Sequence, residues 1–381
     1  MLYDAAGRIG IVGCGFVADL YMKTLKAYPA LQVVGVHDRD RKRAEAFSRI
    51  YRAPVYESLK RLLDQAKPDI VLNLTNPQEH ASVSAYCLDR GIHVYSEKPL
   101  ATEYEAACEL VEQANERGVF ITGAPCTILS ENAQTMWRAI RRGRVGATRL
   151  AYAELDDGFV PKMAYRQWRN SYGVPWPAED EFRTGCTLEH AGYALSWLCA
   201  YFGPVEKVAA YATGIVPGKD GCQDGDAGPD FSVACLTFSD GMVARLTCSI
   251  VAPHNHQVTV VGDDGILRVD ESWRARGPVY LRKRHRIGNR VMLAPWKRRV
   301  PLAGRWRMRP VRYGGAQRVD FARGVADLAK AVQHERQPYL SPAFVLHVNE
   351  VSLAIHQAQE TGITYRPETG FAPLAPLPWA R

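Results

Sequence analysis

Lys98 and its neighbours are candidates for proton-transfer chemistry. Glu97, Lys98 and Pro99 follow directly after residues 92–96, an apolar run that predicts a buried strand. Ligands of parallel sheets bind at the carboxyl ends of the strands, so Lys98 is expected at the edge of a cleft. Partial burial and nearby cations would lower the pKa of Lys98 into the range that suits acid–base catalysis. A single lysine after a strand is usually a surface residue, so the surrounding elements decide its role.

A glycine-rich turn near the start of the chain predicts a dinucleotide site. Residues 9–12 form a short apolar run, and Gly13, Gly15 and Ala18 follow with GxGxxA spacing. Gly13 permits the tight turn, Gly15 lets a pyrophosphate approach the backbone, and Ala18 keeps the next helix close to the sheet. That helix, predicted over residues 16–28, would hold the phosphates at its N-terminus.

An acidic residue occupies the position expected to contact the adenosine ribose. A second apolar strand, residues 31–36, leads to Asp38, which lies 20 positions beyond Ala18. A carboxylate there binds the ribose hydroxyls and repels a 2′-phosphate, which favours NAD over NADP. NADP is not excluded, because basic residues that could bind the phosphate follow directly: Arg39, Arg41, Lys42 and Arg43.

The chain is predicted to fold as two domains. Strands and helices alternate over residues 1–125, which predicts a Rossmann domain, an α/β fold with a doubly wound parallel sheet. Residues 126–381 are predicted to form an α+β domain with a large, mostly antiparallel open sheet. Its consecutive strands are predicted over residues 205–213, 231–238, 242–250, 257–261 and 266–269.

Positive charge is concentrated in one basic block, residues 274–312. The chain carries a net charge of +8, yet this block holds fourteen of the 48 basic residues and no acidic ones, so the remainder is mildly acidic. Three interpretations stay open: a solvated or subunit-contacting face of the sheet, a site for an anionic substrate, or a nucleic-acid or membrane surface. The sequence contains no nucleic-acid-binding motif, so no nucleic-acid partner is expected.

Cysteine usage and hydropathy narrow the class further. The nine cysteines are scattered without a CxxC pair, so no zinc or other metal site is expected, and buried free thiols indicate a cytoplasmic protein. No apolar run suggests a membrane span or a signal peptide.

In four motifs the chain resembles the Gfo/Idh/MocA family, the glucose–fructose oxidoreductase and inositol dehydrogenase group. The resemblance implies NAD(P)-dependent hydride transfer to or from a hydroxyl or keto carbon of a sugar, cyclitol or nucleotide sugar. It also implies a homodimer or homotetramer built through the sheet of the second domain. The four motifs, in order, are Gly13-x-Gly15-x-x-Ala18, Asp38, Thr75-Asn76-Pro77-x-x-His80 and Glu97-Lys98-Pro99.

The resemblance also implies roles for individual residues. It makes Lys98 the catalytic lysine, and Trp168 and Arg169 match the family's Trp-Arg pair before the catalytic helix. The residues implied to bind or flank the cofactor are Gly13, Gly15, Phe16, Val17, Asp38, Thr75, Asn76, His80, Glu97, Lys98, Trp168 and Arg169. Residues 171–177, which follow that pair, are longer and more aromatic than usual. They either stack on a substrate ring or pack on their own side chains.

The predicted catalytic helix departs from the family pattern, which usually has Gly-x-x-Leu-x-Asp-x-Gly-x-His. When Leu188 and Gly192 are aligned with that pattern, His190 takes the place of the Asp and Ala194 that of the His. A histidine titrates near neutral pH, so His190 remains a candidate for proton transfer.

Lys98 and His190 are therefore predicted to be the proton-transfer pair. Tyr193, three residues after His190, shares its helix face and is a candidate helper. Glu189 projects about 100° away from His190 and is expected to take less part.

Two alternatives to net oxidation and reduction remain open. A transient oxidation could drive elimination, epimerisation or glycoside cleavage, with the cofactor regenerated. The loss of the usual histidine at Ala194 also leaves open a non-catalytic protein that binds NAD and a sugar.

Overall fold

A parallel sheet forms the N-terminal half of the molecule. The computed structural model describes residues 5–219, 221–222, 226–303, 319–358 and 364–381. Five strands pair in the order β2-β1-β3-β4-β5, all in parallel. This confirms the predicted doubly wound sheet. The strands are β1 (Gly7–Val12), β2 (Leu31–His37), β3 (Ile70–Asn73), β4 (His93–Ser96) and β5 (Ile121–Gly123).

Helices cover this sheet because each connects two parallel strands. They bury small and apolar side chains, such as Ala18 in the first helix, which allows close packing on the strands. The helices are α1 (Phe16–Leu25), α2 (Arg41–Tyr51), α3 (Leu59–Arg61), which continues as a π-helical turn (Leu62–Ala66), α4 (His80–Leu88) and α5 (Tyr104–Glu116).

A nine-stranded sheet forms the second half. Its strands pair in the order β13-β12-β11-β10-β6-β9-β8-β7, and β14 also pairs with β12. All pairs are antiparallel except β6 with β9, so the predicted mostly antiparallel open sheet is confirmed. The strands are β6 (Thr148–Asp156), β7 (Val205–Thr213), β8 (Phe231–Phe238), β9 (Val243–Ser249), β10 (Val258–Gly262), β11 (Gly265–Val269), β12 (Val279–Ile287), β13 (Arg290–Leu293) and β14 (Arg298–Val300).

Four further helices pack around the sheets. The longest contains a break at Gly185, whose φ of +75° suits glycine, so its regular part begins near the predicted start at residue 187. The helices are α6 (Glu131–Arg141), α7 (Ala178–Phe202), α8 (Ala322–Gln333) and α9 (Pro342–His356). Among the described residues, no helix combines the length and apolarity that crossing a membrane requires.

Helix α8 belongs to the N-terminal core although it comes late in the chain. Its residues Ala322, Val325 and Leu328 are buried in the same apolar cluster as Ile9 and Tyr95 of the parallel sheet. The boundary at residue 125 stays a prediction, and α8 links the two halves across it.

Candidate active site

The glycine-rich turn has the geometry that a dinucleotide needs. Gly13 has a φ of +93°, and a Cβ there would collide with the backbone of Leu74 and lie 2.8 Å from Thr75 N. A Cβ on Gly15 would meet no atom within 4 Å. Gly15 is also the N-cap of α1 and makes no side-chain cap bond. The first amides of α1 therefore face open space that fits a pyrophosphate.

Asp38 is held more tightly by the protein than the sequence indicated. Its carboxylate accepts hydrogen bonds from Cys14 N at 2.7 Å and Asp40 N at 2.8 Å, and the residue is 8% exposed. Arg43 lies 3.7 Å from the same carboxylate. Asp38 thus stabilises the glycine-rich turn through its bond to Cys14 N. Its role toward the ribose stays a prediction.

A cleft of about 840 Å³ lies between the two domains. Its size suits a cofactor with a small substrate. Most of the predicted site residues line it, whereas Gly13, Asp38 and Arg169 do not. The predicted residues along its wall are Gly15, Phe16, Val17, Thr75, Asn76, His80, Glu97, Lys98, Trp168, His190 and Tyr193.

Lys98 is surrounded by carboxylates rather than cations. Its ammonium contacts the Glu189 carboxylate directly, and the half-buried Glu181 carboxyl lies against Glu189. Burial alone would lower the pKa of Lys98, but the negative charges of Glu189 and Glu181 raise it well above its ordinary value. The expectation of a lowered pKa was wrong, because the sequence did not reveal which charges face the lysine.

Glu189 was also misjudged from the sequence. It does lie one helical step from His190, but Lys98 approaches α7 from the opposite wall of the cleft and contacts Glu189. Burial and the charge of Glu189 raise the pKa of Glu181 well above its ordinary value. Of the two carboxyls, Glu181 is thus the one whose neutral form is favoured, and Glu189 is the carboxylate that contacts Lys98.

Other predicted cofactor residues hold the cleft wall through their own contacts. Glu97 is buried and accepts from Tyr21 Oη at 2.6 Å, and burial raises the pKa of its carboxyl. His80 lies with its ring nitrogens 2.7 Å from Pro99 O and 3.0 Å from Thr75 O. These two bonds fasten the loop after β3 to the turn that carries Lys98.

Two further predicted residues of that loop make local bonds. Thr75 Oγ1 donates to Asn73 Oδ1 at 2.7 Å, and Asn76 Nδ2 donates to Asp180 Oδ2 at 2.8 Å. The second bond crosses the cleft mouth to α7. Their roles toward the cofactor stay predictions.

Both ring nitrogens of His190 have partners within the protein. Nδ1 lies 3.1 Å from Cys186 O, and Nε2 lies 2.7 Å from Asp157 Oδ2. A carbonyl and a carboxylate both accept, so a ring N–H can donate to either of them.

Asp157 is the centre of a polar cluster that sequence reasoning missed. Its other oxygen lies 2.6 Å from His256 Nε2, and Glu271 lies 3.3 Å from His256 Nδ1 and 3.0 Å from His254 Nε2. Burial would raise the pKa of Asp157, but His190 and His256 hold it well below its usual range. For His256, burial lowers the pKa, but Asp157 and Glu271 raise it to about 9.

A sequence signal for this cluster did exist. His254-Asn255-His256 places two imidazoles at i and i+2, which in an extended segment lie on one side of the chain. Nothing in the sequence pairs that segment with Asp157, because the contact depends on the neighbouring positions of β6 and β10.

Tyr193, the predicted helper, lies against an aromatic wall of the cleft. Its ring centroid is 4.8 Å from that of Trp273, which also lies 6.2 Å from the ring of His190. Burial raises the pKa of Tyr193 well above its ordinary value, so its hydroxyl stays protonated. It can donate a hydrogen bond to a ligand in the cleft.

The aromatic loop after Trp168 packs mainly on protein. Trp168 and Trp176 meet edge to face at 5.3 Å, and Tyr172 packs on Phe47 at 5.5 Å. The Tyr172 hydroxyl donates to Gly15 O at 2.6 Å. Tyr172 and Trp176 also line the cleft, so packing within the protein and stacking on a substrate ring both stay open. The bond from Tyr172 ties the second domain to the glycine-rich turn.

Arg169 points away from the cleft. Its guanidinium donates to the backbone oxygens of Arg166 and Trp168, both at 2.8 Å. Both bonds lie within its own loop, and its assignment to cofactor binding stays a prediction.

The described part of the basic block, residues 274–303, forms β12 to β14 at one edge of the large sheet. Among these residues none lines the cleft. A separate pocket of about 430 Å³ lies there, with Arg276 and Arg299 in its wall. The block's role toward an anionic substrate of the cleft therefore has no support from its described residues. Residues 304–312 of the block lie outside the described residues.

An open glycine-rich turn and a lysine facing the same interdomain cleft define the class of NAD(P)-dependent oxidoreductases. Models of known families agree. Residues 7–123 match the oxidoreductase family with an NAD-binding Rossmann fold, and residues 133–268 match the GFO/IDH/MocA C-terminal domain. The chain belongs to the GFO/IDH/MocA oxidoreductase family, which confirms the resemblance carried by its motifs.

Relatives and solved structures support the same class. Mouse (Mus musculus) trans-1,2-dihydrobenzene-1,2-diol dehydrogenase is 26% identical over 272 residues, 70% of this chain and 75% of the mouse protein. The WlbA dehydrogenase from Bordetella pertussis, solved with NADH and UDP-GlcNAcA, shares the fold with a TM-score of 0.71 at 18% identity, over 96% of this chain and 98% of that one. A 3-ketoreductase from Actinomadura kijaniata, solved with TDP-benzene and NADP, has a TM-score of 0.70 at 20% identity. The match covers 92% of this chain and 96% of the ketoreductase chain.

Proposed function

We propose that this NAD(P)-dependent oxidoreductase transfers a hydride between the nicotinamide and a hydroxyl or keto carbon of a sugar, cyclitol or nucleotide sugar. The observation that carries the proposal is the single cleft that joins the open turn at Gly15 to Lys98 and His190. The carbohydrate substrate is supported by the nucleotide-sugar ligands of WlbA and by the diol substrate in the name of the mouse relative.

The cofactor fits the residues present. The amides at the start of α1 bind the pyrophosphate, and the open space over Gly15 admits it. When bound, the nicotinamide supplies the hydride donor or acceptor. We retain NAD as the favoured form because of Asp38, although Arg39, Lys42 and Arg43 line the adjacent wall, where a 2′-phosphate would find cations.

Lys98 is the main proton-transfer group of the proposed reaction. Its raised pKa keeps it protonated at neutral pH, so it donates a proton to the substrate oxygen during reduction. In oxidation the deprotonated amine must take that proton back. Tyr193 donates a hydrogen bond that orients the same oxygen, and Glu189 balances the charge of Lys98.

His190 is the second proton-transfer group in this proposal. The reaction moves one proton for each hydride, and Lys98 gives that proton to the substrate oxygen. The same oxygen replaces Asp157 at His190 Nε2, and His190 passes a replacement proton from solvent through the new hydroxyl to Lys98. We expect His190→Ala to lower steady-state turnover about 100-fold or more. His334→Ala, at an exposed position directly after α8, is the matched control. If the His190→Ala rate is nearly unchanged, His190 has no part in proton transfer.

The pH dependence of oxidation tests the pairing of Lys98 with Glu189. In the oxidative direction kcat/KM should rise with pH, because the raised pKa of Lys98 leaves little neutral amine at pH 7. Glu189→Gln removes the charge that raises this pKa, so the rise should move to lower pH by about 1–3 units. Glu179→Gln, on the exposed pair with Arg183, is the control. An unshifted profile in Glu189→Gln would contradict the pairing.

A substrate screen tests the proposed function. The purified protein is incubated with NAD or NADP and with sugars, cyclitols, sugar phosphates and nucleotide sugars. Reduced cofactor is followed by absorbance and products by mass. Formation of reduced cofactor together with an oxidised sugar supports the proposal. Product without reduced cofactor would indicate an internal redox cycle, and binding of both ligands without any product would indicate a non-catalytic protein.

We further propose a cytoplasmic homodimer or homotetramer that assembles through the large sheet. Large apolar side chains are exposed on that domain, among them Leu150 on β6 and Tyr211 on β7. Light scattering coupled to size exclusion should give a mass of two or four chains. A monomer at micromolar concentration would contradict the assembly.

A further inference from the structure

The polar cluster around Asp157 has the composition of a metal site. Asp157 follows β6, His254 and His256 precede β10, and Glu271 follows β11. The backbone joins these segments, because Asp156 N donates to Asn255 O at 3.0 Å and Ser272 N donates to His256 O at 2.8 Å. The ends of three neighbouring strands therefore bring these side chains close together.

The distances bring three donor groups together. One ligand atom each from Asp157, His254 and His256 lie within 4.8 Å of one another. His256 is buried, Asp157 is half-buried and His254 is exposed, so the group spans from the protein interior to solvent. We propose that Asp157, His254 and His256 bind a divalent transition-metal ion such as Zn²⁺.

The donor types fit such an ion. Two imidazole nitrogens and one carboxylate oxygen form a known ligand set for zinc and its neighbours, with bonds of about 2.0–2.2 Å. Ligand atoms of a tetrahedral site therefore lie about 3.4 Å apart. When an ion binds, the ligand atoms of Asp157 and His256, now 2.6 Å apart, move slightly away from each other, and the more distant ligand atoms move closer together. Rotation of the exposed His254 side chain permits this change.

Further contacts would orient the ligands. Glu271 contacts both histidines, as the outer carboxylates of metal sites do when they fix an imidazole and raise its basicity. The carboxylates of Asp157 and Glu271 also supply two negative charges, which a divalent ion neutralises when the rings are neutral. An ion binds imidazole in its neutral form, so any proton on the coordinating nitrogens is released on binding.

The position of the site gives the ion a function. Asp157 lines the substrate cleft and also contacts His190 at 2.7 Å. An ion with three protein ligands keeps a free coordination position, which suits a carboxylate or a pair of vicinal hydroxyls on a substrate. The chemical class of ligand expected at this position is therefore an oxygen-rich, acidic or polyhydroxylated group.

Metal binding is measured on the full-length chain after treatment with a chelator and its removal. The wild type is titrated with ZnCl₂ by calorimetry at pH 8, and bound metal is counted by elemental analysis after dialysis. We expect one ion per chain, a Kd in the micromolar range or below, and proton release in weak buffer. His254→Gln should weaken binding at least about tenfold, and His256→Gln and Asp157→Asn more strongly.

Two variants at exposed histidines separate metal binding from loss of stability. His254 is exposed, so its replacement should leave the thermal midpoint of the metal-free protein unchanged even if the buried variants lose stability. His334→Gln, outside the cluster, should bind zinc as the wild type does. The site is refuted if the wild type binds no ion more tightly than millimolar, or if His254→Gln and His334→Gln behave alike. Calorimetry and elemental analysis measure metal binding without turnover. The test of the metal site therefore remains valid even if the proposed reaction is wrong.

Discussion

Replacing Lys98 with methionine should lower kcat by about 10²- to 10⁴-fold in both directions of the reaction. The lysine is half-buried in the cleft wall and is the cation that faces Glu189, so methionine keeps its stem and removes its proton. The substitution should lower kcat and leave cofactor affinity unchanged, because the pyrophosphate binds at Gly15 and α1. Steady-state rates and cofactor titration by fluorescence measure the two separately.

A charge-preserving variant separates proton transfer from electrostatics. Lys98→Arg keeps the ion pair with Glu189, but a guanidinium does not release its proton at working pH. Its kcat should therefore fall nearly as far as that of Lys98→Met. Lys60→Met, on an exposed pair with Asp64, controls for the loss of a lysine. A Lys98→Arg enzyme within tenfold of the wild type would show that the charge alone is needed.

The two glycines of the turn should respond differently to alanine. Gly13→Ala places a Cβ against the backbone of Leu74 and strains a φ of +93°, so we expect a loss of about 1–3 kcal/mol and a thermal midpoint lower by several degrees. Gly15→Ala meets no protein atom, so its midpoint should match the wild type. Its Cβ would instead occupy the space of the pyrophosphate, and NAD(P) affinity should fall at least about tenfold.

Gly15→Ala contains its own control, since its thermal midpoint should match the wild type while its cofactor affinity falls. Differential scanning fluorimetry without cofactor reports stability, and cofactor titration reports binding. An unaltered cofactor Kd in Gly15→Ala would contradict the placement of the pyrophosphate over α1. An unaltered midpoint in Gly13→Ala would contradict the strain assigned to the turn.

Local patterns predicted the architecture because periodicity and turn residues act over short distances. The glycine-rich turn, the parallel alternation and the consecutive strands of the second domain were all predictable from neighbouring residues. The position of α8 on the N-terminal core was not, since it depends on packing between residues about 300 positions apart, such as Tyr21 and Val325.

The electrostatics of the site were harder to predict. Lys98 was found from its place after β4, but its partner Glu189 lies 91 residues later, and the sequence does not reveal their contact. The same holds for Asp157 and His256, which are brought together only by strand pairing. The sequence therefore placed Lys98 and His190 in one cleft but did not reveal Glu189 and Asp157, the carboxylates that contact them.

The most direct test of the account is hydride transfer itself. A keto sugar identified by the substrate screen is incubated with reduced cofactor carrying two deuterium atoms at nicotinamide C4, and the product is examined by mass spectrometry and NMR. We predict one deuterium on the new carbinol carbon with the wild type and almost none with Lys98→Met in the same time. A product that forms without deuterium, or tight binding of both ligands with no product at all, would contradict the assignment as a dehydrogenase.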